Sequence, residues 1–385
     1  MNSYRFKNKP DYWLALAVFS LVVIGLIMIS SASVMQSYDV TAGKSNYFYL
    51  THQLVAFGIG LIFWIILSAI DYHFWRKWAF LLFAISFVIT LLVFVPGIGK
   101  QFGGASRWIG WGNFYFQPSE ILKLTFIIYL AAWFTRLENR VVDFWRGFLP
   151  TILVLGVVVF AILKQPDMGT AINFIIIGVV LFFIAGASIW QLAISAPIIT
   201  IIIWFLIKHS TYRMARFLTF LNPANDVQGS GYHIYQSLIA IGSGGLWGLG
   251  FGNSRQKFHY LPQVQTDSIF AIIVEELGFL RAFFILLIFV FIAWRGIQIA
   301  KNAPDKFGKL LAAGIVIWIV TQAFINVAAM LSLIPLTGIP LPFISYGGTS
   351  LVISMAAIGI LLNISKHSLV SNSKYHSKYQ TKNQP

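Results

Sequence analysis

The sequence predicts an all-α fold: a polytopic membrane helix bundle of about ten transmembrane helices, with the N- and C-termini cytoplasmic. Three observations predict it. Of 385 residues, 58% are hydrophobic and 10% charged, against about 25% charged in soluble domains. Apolar runs near 20 residues, the length that crosses hydrocarbon, recur along the whole chain. Lys and Arg concentrate between alternate runs, which orients the bundle.

The runs, taken in order, are roughly Tyr12–Ser33, Tyr49–Ala69, Trp75–Val95, Ser119–Thr135, Phe148–Leu163, Thr170–Ala187, Ile189–Ile207, Ser268–Trp294, Leu310–Leu333 and Phe343–Ile364. Residues 1–11 form a basic cytoplasmic tail. The first run lacks a small-residue cleavage signal and reads as a retained span. Residues 12–364 make the transmembrane domain, and 365–385 a basic tail of disordered composition. With the N-terminus inside, most Lys and Arg fall in cytoplasmic segments, among them Arg76, Lys77, Arg136, Arg140, Arg295, Lys301, Lys306 and Lys366. The net charge of +15 therefore reads as positive-inside loops rather than a nucleic-acid surface. With no cysteine in the chain, disulfides, thiolate metal sites and a cysteine nucleophile are excluded.

Irregular polar sequence must sit at a surface or in a cavity, because hydrocarbon offers the backbone no partner. Three outer segments stand out. Pro96 to Pro118 holds Arg107 and Trp108. A large extracytoplasmic loop, residues 208–267 between helices 7 and 8, holds a Gly-rich stretch from Gln236 to Trp247, too short to span and read as a helix or re-entrant element. Ile334 to Pro342 leads into Ser345-Tyr346-Gly347-Gly348.

Acidic residues are few. Asp11, Asp39, Asp71, Glu138, Asp143, Asp226 and Asp305 fall in loops or at span edges and read as solvated. Glu120 and Lys123, three apart, share a helix face and can pair, either to orient the helix or to wall a site. Asp167 stands at a turn before a span, as a helix cap does. Asp267, in Thr266-Asp267-Ser268, also suits a cap. A carboxylate at the rim of an apolar cavity is partly desolvated, however, and so fitted to take up a proton. Glu275 lies eight residues on, within about 80° of Asp267 by helical period. Beside Glu276 it calls for a basic partner, protonation or a cation. Outer Arg107, Arg213, Arg216, Arg255 and Lys257 suit a phosphate-bearing lipid.

These residues resemble the SEDS family (shape, elongation, division and sporulation), whose members include RodA and FtsW. The resemblance spans nearly the whole chain. It is carried by Met28 to Ser33, Arg107-Trp108, Phe116 to Lys123, Gln165 to Thr170, Gln236 to Gly245, Thr266-Asp267 with Glu275 to Gly278, and Leu341 to Gly348. Gly250 to Lys257 is similar to the division-type branch, His233 to the elongation branch. Gln263, Ser268 and Arg281 depart from the common pattern.

The resemblance implies a peptidoglycan glycosyltransferase of the bacterial plasma membrane, working at the division septum. It implies lipid II and undecaprenyl-pyrophosphate-linked glycan as substrates. It also implies a class B penicillin-binding protein (a monofunctional, FtsI-like transpeptidase) and other divisome proteins as partners. Asp267 becomes the expected catalytic base. Arg107, Trp108, Gln117, Glu120, Lys123, Asp167, Gln236, Lys257, Thr266, Ser345 and Tyr346 become expected substrate contacts. Glu275 and Glu276 become structural or cation support, with a divalent Mg or Mn ion as the expected cofactor. A lipid II flippase, an elongation-type polymerase and a scaffold that only recruits the transpeptidase are the alternatives.

Overall fold

The computed structural model describes residues 4–6, 9–102, 105–111, 114–208, 211–221, 229 and 231–371. Among them the chain is mostly helical. The helices are α1 (Tyr12–Ala32), α2 (Val34–Val40), α3 (Phe48–Ala69), α4 (His73–Leu91), α5 (Pro118–Leu137), α6 (Leu149–Lys164), α7 (Met168–Ile184), α8 (Ile189–Lys208), α9 (Thr211–Leu221), α10 (Tyr232–Gly244), α11 (Ile269–Lys301), α12 (Lys306–Met330) and α13 (Gly348–Lys366). Seven segments are long and apolar enough to cross a membrane: α1, α3, His73–Phe94, Phe144–Lys164, α11, α12 and α13. The predicted fourth, sixth and seventh spans are also helical, as α5, α7 and α8.

Short-range chemistry sets the helix starts. The carboxylates of Asp11, Asp167 and Asp305 accept from the amides of Leu14, Thr170 and Gly308 and cap α1, α7 and α12. Pro118 opens α5, where a missing amide costs nothing. Packing then buries one face of each helix. α12 and α13 are buried nearly throughout, while α3 and α4 keep long apolar faces exposed, as lipid-facing helices do.

The bundle has two polar ends. At one, Asp11 pairs with Arg295 and its amide donates to Ser365 Oγ at 2.9 Å. Beside it, Tyr72 donates to Asp305 at 2.7 Å and Lys366 to the Ser68 carbonyl at 2.7 Å. Strand β1 (Tyr4–Phe6) pairs antiparallel with β5 (Leu369–Ser371), so both ends of the described chain meet here. Asp11 is therefore buried, not solvated as its loop position suggested, because Arg295 from α11 neutralises it. Asp226 lies outside the described residues, as does the tail from 372 onward. Asp267 stands at the opposite end of α11.

Three expectations change. Pro96 to Pro118 is not irregular: β2 (Gly99–Phe102), β3 (Ala105–Trp111) and β4 (Phe114–Phe116) form a small antiparallel sheet. The last span begins at Gly348 rather than Phe343, because Phe343 takes φ +66° and the chain to Gly347 is a turn. Helix α11 begins after Asp267, so no helical period relates that residue to Glu275.

Helix α11 is also broken. Gly278 has φ 84° and ψ 167°, a conformation that glycine alone adopts at no cost. The break frees backbone groups, and the segment after α10 takes them up. Amides of Leu249 and Gly250 donate to the carbonyls of Glu275 and Glu276 at 2.9 and 3.0 Å. Amides of Phe279 and Leu280 donate to the carbonyls of Gly245 and Leu246 at 2.9 and 3.3 Å. Arg281 adds bonds to the Trp247 and Leu277 carbonyls at 3.0 and 3.1 Å. The two backbones touch: a Cβ on Gly278 would lie 2.4 Å from the amide nitrogen of Gly248.

Gly278→Ala should destabilise the protein by about 1–3 kcal/mol, read as a lower thermal unfolding midpoint in detergent. Gly242→Ala, whose added Cβ meets nothing within 4 Å, should leave the midpoint unchanged. Equal midpoints for the two variants would show that the break bears no load.

Candidate active site

The turn from Leu261 to Ser268 is held through its backbone from three sides. Asn326 of α12 donates to the Asp267 carbonyl at 2.7 Å and, with the same amide nitrogen, to the Ile339 carbonyl at 2.7 Å. The Tyr346 amide donates to the Gln265 carbonyl at 2.8 Å. Ser268 Oγ donates to the Pro262 carbonyl at 2.8 Å and lies 2.5 Å from His233 Nε2 on α10. Within the turn, Gln263 takes φ +54° and its carbonyl accepts from Thr266 and Ser268. The Asp267 side chain takes little part in any of this. Its one hydrogen bond among the described residues is from Thr266 Oγ, at 3.2 Å.

The segment from Leu336 to Pro340 ties other predicted residues to this turn. Gly338 packs against it, with its Cβ position 3.7 Å from Asp267 Oδ2. The Leu336 carbonyl accepts from Arg216 at 2.8 Å, and the Pro340 carbonyl from Gln322 at 3.0 Å. Gly169, two residues after Asp167, packs so tightly that a Cβ there would lie 2.3 Å from Ile339. Arg107 binds the Gln165 and Pro166 carbonyls and reaches Asp167 at 3.7 Å. Asp167 is thus a helix cap and an ion-pair partner at once.

Other predicted residues divide by position. Glu120 and Lys123 form a buried pair at 2.8 Å. Lys123 also donates to Gln322 Oε1 at 2.8 Å and sits over the Trp318 ring, while Glu120 Oε2 has no partner among the described residues. Ser345 is buried, accepting from the Leu341 amide at 2.7 Å. Tyr346 stacks edge-on with Tyr49 at 4.8 Å. Trp108, Gln117 and Gln236 are half-buried, and the Gln117 amide donates to Thr349 Oγ at 3.2 Å.

Lys257 is not an outer cation open to a ligand. Its ammonium is buried, donating to Glu276 at 3.0 Å, Ser31 at 3.1 Å and the Gly252 carbonyl at 2.6 Å. Ser31 in turn donates to both oxygens of Glu276. Glu275 accepts from Ser254 Oγ at 2.5 Å and the Arg255 amide at 2.9 Å. The paired acids therefore fasten residues 254–257, which follow the stretch bonded across the α11 break. Arg213 donates to the Leu163 carbonyl at 2.6 Å, and Arg255 is exposed.

Among the described residues no three His, Asp or Glu side chains stand close enough to hold a metal. Asp267 offers one carboxylate beside one hydroxyl, whereas Mg or Mn takes about six oxygens. The protein groups alone do not fit a resident divalent cation.

Sequence reading missed Ser31, Gln322, Asn326 and the contact made by His233. Gln322 and Asn326, four apart in an apolar span, carried a usable signal, since amides inside hydrocarbon seek partners across helices.

A family profile described as "Cell cycle protein", covering FtsW, RodA and SpoVE, matches residues 12–369. Stage V sporulation protein E of Bacillus subtilis (strain 168) is 43% identical, over 94% of this chain and 98% of its own. The probable peptidoglycan glycosyltransferase FtsW of Geobacter sp. (strain M18) is 40% identical, over 90% and 94%. A solved chain from a peptidoglycan synthase complex that coordinates polymerization and crosslinking has a TM-score of 0.77 at 27% identity, covering 93% of this chain and 98% of that one. The rod shape determining protein RodA of Thermus thermophilus has a TM-score of 0.68 at 26% identity, covering 93% and 97%. Matched over nearly its whole length at such identities, the protein belongs to the FtsW, RodA and SpoVE family of cell cycle proteins.

Proposed function

We propose that the chain is a membrane-embedded peptidoglycan polymerase. It joins lipid II disaccharides into glycan strands and releases undecaprenyl pyrophosphate, with Asp267 as the base. The observation that carries the assignment is chemical. Among the described residues every other buried carboxylate has its charge taken up: Glu120 by Lys123, Asp167 by Arg107, Glu276 by Lys257, Asp11 by Arg295, and Glu275 by Ser254 and loop amides. Asp267 is buried with a single weak donor and no cation within pairing distance among the described residues. Of these buried acids it is the one whose charge is least taken up.

In this reading α5, α7 and α8 complete ten spans, and the Asp267 end of the bundle faces outward. Asp267 takes the proton from the acceptor sugar's 4-hydroxyl as that oxygen forms a bond to the donor's anomeric carbon. The bond from that carbon to the pyrophosphate breaks, and the leaving group carries off the electron pair. One displacement inverts the centre and needs one base. The guanidinium groups of Arg107 and Arg216, each bonded to a loop carbonyl, offset the charge on the leaving group. Exposed apolar helix faces hold the prenyl tails. A crosslinking enzyme of the class B type is the fitting partner, and the division septum the fitting place.

Glu120 with its unpartnered oxygen, deep in the bundle beside Lys123, is the feature that favours a flippase instead. In detergent no second compartment exists, so transport yields nothing to see. Purified protein given lipid II should produce glycan strands, and Asp267→Asn should abolish them, a loss of at least about 10³-fold, while unfolding at the wild-type temperature. Full synthesis by the Asn variant would refute Asp267 as the base. Absence of glycan from wild type supplied with its crosslinking partner would favour transport.

Lys257 has a separate expected outcome. Lys257→Met leaves Glu276 buried and unpaired, a loss of about 3–5 kcal/mol, and Glu276→Gln added to it should restore much of that loss. If Lys257→Met unfolded like wild type and raised only the KM for lipid II, the lysine would be a substrate contact.

A further inference from the structure

A serine at a helix N-cap ordinarily accepts a bond from an amide of the first turn. Ser268 holds that position on α11 and makes no such bond. Its hydroxyl is fully buried and donates its single proton to the Pro262 carbonyl. The contact with His233 Nε2 at 2.5 Å therefore has the ring as donor and Ser268 Oγ as acceptor. Neutral His233 is thereby fixed as the Nε2-protonated tautomer. Pro262, Ser268 and His233 form a short chain that clasps both ends of the turn bearing Asp267 and ties it to α10.

Two charged groups bear on the ring: Asp267 before α11 and Arg216 on α9. They act in opposite senses, and burial outweighs both, so His233 lies below the ordinary histidine range. From α12 the neighbouring contact is uncharged, Met330 Sδ accepting from Ser237 Oγ at 3.8 Å, one turn along α10 from His233. The ring is therefore neutral at neutral pH. Protonation at lower pH would place a positive charge near Asp267, and a cation weakens a carboxylate as a base.

We propose that neutral His233 is a positioning residue for the glycosyl transfer, acting through the Ser268 hydroxyl to hold Asp267 outside α11. The proposal rests on Asp267 being the base. Glycan synthesis by wild type and its loss in Asp267→Asn test that reading first.

The test uses full-length protein in detergent, with lipid II polymerisation followed against pH and substrate concentration. His233→Phe removes the donor. A small displacement of a catalytic group costs on the order of 10²-fold, expected here in kcat, with KM within about threefold of wild type. His233→Gln offers an amide N–H to Ser268 but does not titrate. It should keep most of the rate at neutral pH, and its acid limb should extend to lower pH than that of wild type, which loses rate as His233 gains a proton. Combining His233→Phe with Ser268→Ala should cost no more than the worse single change, because both break one chain. Thermal midpoints near wild type identify the variants that fold. The proposal fails if folded His233→Phe polymerises at the wild-type rate. It fails if folded His233→Gln falls as far as the Phe variant, or keeps the wild-type acid limb. Additive losses in the double variant would also sink it.

Discussion

Hydrocarbon gives an unpaired backbone group nothing to bind, and α11 breaks its own ladder at Gly278. The exchange of four backbone bonds with residues 245–250 is what makes that break tolerable. It also fixes the path of the chain that follows. Ser254 to Lys257 must come down over Glu275 and Glu276, and the turn to Asp267 starts from there. A straight α11 would leave Gly245 to Gly250 without partners and Lys257 without its acid. The break is thus the anchor of the Asp267 end of the bundle.

A second constraint is charge. Among the described residues each buried acid other than Asp267 meets a lysine, an arginine or a cage of donors. An unpaired buried charge costs several kcal/mol, so a fold tolerates few. The pairs near the site also differ in what they join. Arg107 with Asp167 ties β3 to α7, Lys123 with Gln322 ties α5 to α12, and Lys257 with Glu276 ties the loop to α11. The result is a set of elements tied by neutralised charge, with Asp267 the buried acid among the described residues whose charge is least taken up.

Much of this was legible in the sequence. Each apolar run contains a helix, because a segment that long and apolar has to satisfy its own backbone, though α11 runs on to Lys301 and α13 starts only at Gly348. Glu120 and Lys123 at i, i+3 gave their ion pair, and Asp167 before a helix gave its cap, because both are local geometry. The small sheet at Gly99 to Phe116 was not legible, its strands being only three to seven residues long; the turn after Phe343 was not, since its partner Gln265 is distant in sequence. Lys257 was misplaced for the same reason. Its number puts it in an outer loop, but the fold returns that loop onto α11, and Glu276 lies 19 residues away along the chain. Asn326 was overlooked because an amide in a span has no local signature of which carbonyl it will find.

The way the Asp267 turn is held has a consequence for chemistry. Its bonds to α12, α10 and the Tyr346 loop run through the carbonyls of Asp267, Gln265 and Pro262 and through the Ser268 hydroxyl. None of them uses the carboxylate. A base anchored by its own carboxylate would change its anchors whenever it took a proton, and each turnover would include a rearrangement. Here the proton can arrive and leave while every bond that sets the position persists. In the proposed polymerisation, preorganisation of that kind lets Asp267 serve a displacement that repeats with every disaccharide added.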